Sequence, residues 1–149
     1  MTLNKSSRLG LYAVVTMAER PSELVSAAMV AEAFDVSEDH VAKVLQQLVR
    51  ARIVTGVRGA GGGYRLAVDP SQLTMLDVVE ALEGPLRPAC YGCELSGDPA
   101  AACRQAVSCA IRGVLEEIGQ YAMITLQSVT IATLAEKSTR TAGRGRAVG

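Results

Sequence analysis

The chain has no tryptophan, one phenylalanine and four tyrosines in 149 residues. An interior with so few large rings is filled by alanine, valine and leucine, which favours closely packed helices. There is one histidine, His40, and neither an HExxH pattern nor a Ser/His/Asp set accompanies it. Hydrolytic chemistries that need those groups are excluded, and no enzyme is expected. No apolar run approaches the ~18 residues of a membrane helix. The opening MTLNKSSRLG lacks an apolar segment with a small-residue cleavage site, so no signal peptide and a cytoplasmic location are expected. Cysteine is absent outside residues 90–109, which hold all four: CYGCELSGDPAAACRQAVSC. A reducing cytosol argues against two disulfides there.

Net charge is also lacking, at +0, but the charges are segregated. Residues 1–68 carry eight Lys/Arg and six Asp/Glu, residues 69–136 three and nine, and residues 137–149 four and none. A partner responds to the local field, so a near-neutral total does not exclude nucleic acid.

What is present reads as a mainly α protein. Leu9, Tyr12, Ala13, Thr16 and Met17 recur at helical spacing and predict a first helix over 5–19, ended by Pro21. Ser26 opens a second helix to Phe34, with Ala27, Val30, Ala31 and Phe34 inward. After a break at Asp35-Val36, Ser37 starts a third helix to about Arg52, with Val41, Val44, Leu45, Leu48 and Val49 inward and Glu38 and Asp39 in its first turn. Two helices so connected form a helix-turn-helix candidate. IVTGV (53–57) and YRLAV (64–68) flank RGAGGG (58–63), which predicts a two-stranded wing. Thr74 and Asp77 resemble a capping box for a short helix to Leu82, and EGPLRPA (83–89) is a loop. A long helix is expected from about Ser108 through SCAIRGVLEEIGQYAMITLQS, with more apolar face than a small domain covers, so a second copy of the chain is expected against it. Thr130 caps a last helix, Ile131 to Glu136, and residues 137–149 read as a disordered basic tail. The expected division is a winged helix-turn-helix domain at 1–68, a cysteine-containing and dimerising segment at 69–136, and the tail.

The glycine run does not fit a phosphate-binding loop, because Tyr64-Arg65 and a strand follow it rather than Lys-Ser/Thr or a helix. A wing reaching DNA through Arg58, Gly59, Tyr64 and Arg65 fits better than an idle hairpin turn. The first turns of a reading helix enter the major groove, which nominates Ser37, Glu38, Asp39, His40 and Lys43. The bland alternative for these residues is a solvated helix face. The cysteine spacing is C-x2-C-x9-C-x5-C. The first pair suits zinc, and the looser second pair suits an iron–sulfur centre. On one helix Cys103 and Cys109 would sit about 9 Å apart along the axis and about 120° apart around it. A helical break near Ala106 to Ser108 is therefore expected. Four thiolates in an acidic segment favour a metal over idle reduced thiols.

These residues resemble the IscR/NsrR family of bacterial iron–sulfur transcription regulators over about residues 1–136. SRLGLYAVVTMA is similar to its first helix, VSEDHVAKVLQQLVRARIVTGVRGAGGGYRL to its recognition helix and wing, CRQAVSCAIRGVLEEI to its later ligands and dimerisation helix, and VTIATL to its final helix. The resemblance implies a cytoplasmic homodimer on a palindromic double-stranded operator. Each subunit would hold a [2Fe-2S] or [4Fe-4S] cluster whose damage or loss changes DNA affinity, in response to nitric oxide, iron or cluster supply, or redox stress. Other members bind no cluster, and a same-fold regulator switched by thiol oxidation or zinc is the alternative. The family's non-cysteine fourth ligand, either a histidine beyond the third cysteine or an acid on the partner's first helix, corresponds here to Arg112 or the neighbourhood of Arg8, and arginine cannot ligate. The implied ligands are Cys103, Cys109 and Cys93, with Cys90 as fourth ligand or spectator.

Overall fold

The computed structural model of the chain describes residues 3–86 and 106–145, leaving aside the side chains of 106–109 and 142–145. The described residues form six helices and one two-stranded antiparallel sheet. These are α1 (Lys5–Glu19), α2 (Ala27–Phe34), α3 (Glu38–Arg50), β1 (Val54–Val57), β2 (Gly63–Leu66), α4 (Met75–Glu83), α5 (Ala106–Ser128) and α6 (Ile131–Gly145). Residues 2–85 and 126–149 make one unit, and residues 86–125 a second.

Helix α1 is the spine of the first unit and packs on α3, α4 and α6. Asn4 caps it, its side chain accepting from the Ser7 amide at 2.7 Å. Leu9, Ala13 and Met17, at four-residue steps, form its buried stripe. Gly10 lets α1 come close to its neighbours: a Cβ there would lie 2.4 Å from Leu82 of α4 and 3.5 Å from Val44 of α3. Val41, Val44, Leu45 and Leu48 bury the inner face of α3. Each such leucine contributes about 2–5 kcal/mol against truncation to alanine.

Helix α2 ends at Asp35, which takes the left-handed conformation (φ 49°, ψ 55°), and the Asp35 and Val36 amides donate to carbonyls of the last turn of α2. That turn sets the angle between α2 and α3. Thr74 and Asp77 form the expected capping box, with the Asp77 carboxylate accepting from the Thr74 amide at 2.8 Å and its hydroxyl at 2.6 Å. Asp69 is held below the ordinary carboxylate range by the Ser71 hydroxyl and then by the Ser71 amide, which turns the chain out of the wing. Backbone bonds from Met75 to Val129 and from Ile131 to Leu73 strap the start of α6 to the entry of α4.

Three sequence expectations change. Phe34, read as inward, is 40% exposed and stacks on Tyr12, itself 48% exposed, with centroids 4.4 Å apart. They sit at the edges of their helices' buried stripes, where two rings shield each other better than either could be enclosed. The long helix has already begun at Ala106, so no break occupies 106–108. No glycine or proline lies there to make one. Helix α6 does not stop at Glu136 to leave a disordered tail but runs to Gly145. Its polar continuation propagates from the turns that Ile131 and Ala135 anchor, and carries an exposed Arg140–Glu136 pair at 3.7 Å. Contacts group α4 and α6 with the winged helices in one unit.

Candidate nucleic-acid interface

Ser37 caps α3, accepting from the His40 amide at 3.4 Å, and leaves Glu38 and Asp39 exposed in the first turn. These acids sit at the positive end of the helix dipole. Lys43, one turn further on, is exposed. His40 is half-buried, and its Nε2 is buried without a hydrogen-bond partner among the described residues. Lys43 is the exposed cation of these first turns. The outward face continues beyond the residues nominated from sequence: Gln46, Gln47 and Arg50 line one open groove together with Asp39, His40 and Lys43. The signal was present in the sequence as polar residues at three- and four-residue steps from Asp39, complementary to the buried stripe.

The wing pairs Val54 with Leu66, Thr55 with Arg65, Gly56 with Tyr64 and Val57 with Gly63. Arg58 and Arg65 are both exposed. The loop turns through Gly59 at φ 117°, a conformation that side chains resist. At Gly62 a Cβ would meet the Val57 carbonyl oxygen at 2.4 Å, so the tip closes only around glycine. Tyr64 anchors the wing in two directions. Its backbone exchanges two 2.9 Å bonds with Val25 before α2, and its hydroxyl accepts from Gln46 Nε2 of α3 at 3.5 Å. Helix and wing are thus tied together with their cationic groups outward, an arrangement that suits a phosphate-lined groove.

Residues 3–137 match the Rrf2 family, described as an iron-dependent transcriptional regulator. The chain belongs to the Rrf2 family. Among curated relatives, the Rhodopseudomonas palustris protein named as the HTH-type transcriptional regulator BadM is 43% identical over 134 residues, covering 90% of this chain and 81% of BadM. Among solved structures, this Rrf2 chain is similar to CymR (YrzC), the global cysteine regulator of B. subtilis, with TM-score 0.73 and 25% identity over 92% of this chain and 98% of that one. It shares its fold with T. potens IscR, with TM-score 0.70 and 24% identity over 93% and 88% of the two chains. The winged helix-turn-helix and the resemblance read from sequence are therefore both borne out. The Rrf2 relatives are DNA-binding transcription regulators and not enzymes.

Cys109 falls within the first turn of α5, and Cys90, Cys93 and Cys103 lie outside the described residues. No group of three or more His, Cys, Asp or Glu suited to a metal occurs among the described residues. No helix among the described residues is long and apolar enough to cross a membrane.

Proposed function

We propose that this chain is a homodimeric transcription regulator of the cytoplasm that reads a palindromic operator, with its grip set by an iron–sulfur cluster on the cysteines of residues 90–109. The DNA-binding part rests on one observation above others: α3 and the glycine-tipped wing are joined through Gln46 and Tyr64 with Lys43, Arg58 and Arg65 exposed. Ser37, Glu38, Asp39 and Lys43 would meet base edges and phosphates, and Arg58, Gly59 and Arg65 the flanking backbone.

Helix α5 supports the dimer. Ile111, Val114, Ile118 and Tyr121 follow three- and four-residue steps and are 57%, 57%, 52% and 66% exposed. A 23-residue helix is about 34 Å long, and a seam of this kind is what two such helices bury between them. Dimeric helix-turn-helix proteins place their reading helices about one duplex turn, ~34 Å, apart.

The cluster reading is supported by the cysteine spacing, by the family's description as iron-dependent and by the place of Cys109 at the foot of α5. Cys103, Cys109 and Cys93 are the proposed ligands, with Cys90 as a fourth. Cysteine thiolates provide the sulfur donors that such clusters use. A centre tied to the root of α5 would couple its own state to the spacing of two reading helices. CymR, a cysteine regulator by name, has the same fold, and this favours as a second reading a regulator switched by thiol oxidation or zinc.

Three measurements on protein purified without oxygen decide between these. They are metal and sulfide content, solution mass, and footprinting on promoter DNA. Iron with sulfide, a dimer mass and a two-fold footprint are expected. Zinc alone, or no metal with a reversible disulfide, favours the second reading, and a chain that protects no DNA contradicts the first.

A further inference from the structure

We infer that the polar extension of α6 is a second DNA-contacting surface, engaging phosphates beside the site held by α3 and the wing. The inference rests on the DNA-binding reading above. Residues 1–136 carry 11 Lys/Arg against 15 Asp/Glu, whereas residues 137–149 carry four cationic residues and no acid. The body of this DNA-binding chain is thus acidic, and nucleic acid would be repelled at long range without its last residues. The match to the family ends at residue 137, within α6.

The fold gives those charges order. Helix α6 continues to Gly145, so Lys137, Arg140 and Arg144 occupy positions within about 60° of one another around the helix. Lys137 and Arg140 are exposed. The Arg140–Glu136 pair is exposed on both sides and therefore weak, leaving the guanidinium available to a phosphate. Lys137 and Arg8 of α1 line the same groove, which Glu19 also borders. Ile131 and Ala135, the buried residues of α6, precede the extension, and no large apolar residue occupies 137–145. A membrane-surface helix needs an apolar face to insert, and this stretch has none. Spaced cations without such a face suit a phosphate backbone.

The test compares the wild-type chain with a Lys137→Gln/Arg140→Gln/Arg144→Gln variant, which retains residues that favour helix. Operator affinity is measured from low to high potassium chloride. Each lost phosphate contact flattens the slope of log affinity against log salt by about 0.9, so a slope shallower by about 2–3 per protomer is expected, with preference for the operator over random duplex unchanged. A charge-conserving Lys137→Arg/Arg140→Lys/Arg144→Lys variant keeps the wild-type slope. Equal slopes for wild type and the glutamine variant overturn the inference while leaving the DNA reading intact. Equal slopes together with loss of binding to anionic phosphatidylserine vesicles assign the surface to lipid instead. A wild-type chain that binds no duplex at any salt removes the underlying reading and this inference with it.

Discussion

Ser7, wholly buried in α1, donates its hydroxyl to Glu83 Oε1 of α4 across 2.5 Å, and the Asn4 amide donates to the same oxygen at 3.0 Å. One carboxylate thus ties the end of α4 to the start of α1, where the helix dipole favours an anion. Glu83→Ala strands a buried hydroxyl and is expected to cost about 1–3 kcal/mol in urea unfolding. Glu83→Gln keeps an acceptor and is expected to cost less. Equal losses for the two variants would contradict this account of the contact.

Asp35 is a non-glycine residue in the left-handed region at the turn between α2 and α3. Asp35→Gly is expected to leave stability unchanged or raise it. Asp35→Val should lower it by about 1–2 kcal/mol, because a branched Cβ clashes in that conformation. Thermal unfolding of the two variants checks the sign.

Arg58 stands at the base of the wing loop and is exposed. Arg58→Ala is expected to preserve the fold and to weaken operator binding with a salt slope reduced by about 1 per protomer. A fluorescence-anisotropy titration at several salt concentrations measures this, and an unchanged slope would remove Arg58 from the interface.

Ile118 lies mid-way along the exposed apolar row of α5. Ile118→Glu places an unpaired charge in the proposed seam and is expected to raise the dimer dissociation constant by about 100-fold or more. Sedimentation should show monomers whose helix content is retained and whose operator binding is lost. A variant that sediments as the wild type does would exclude this face from the dimer.

Much of this architecture was legible in the residues. Ser26, Ser37 and Thr74 marked helix starts because hydroxyl caps have few alternative uses before an apolar stripe. The wing was legible because a glycine run between β-branched residues leaves few other folds. Tyr12 and Phe34 were not, since helical spacing identifies the stripe but not which residues lie at its margin. The extension of α6 was hidden for a different reason. It has no apolar period, and its helix propagates only because Ile131 and Ala135 have already anchored the first turns. At the interface, the sequence pointed to the first turns of α3 but not to Gln46, whose bond to Tyr64 joins residues 18 positions apart.

The central claim is that cysteine-bound iron controls DNA binding, and Cys103→Ser/Cys109→Ser tests it most directly. Operator affinity, iron content and visible absorbance are measured on the same oxygen-free samples of wild type and variant. A coloured, iron-containing wild type and a colourless variant whose affinity differs by about tenfold or more are predicted. Identical affinity from samples that differ in iron, or a wild type that never holds iron, would contradict it.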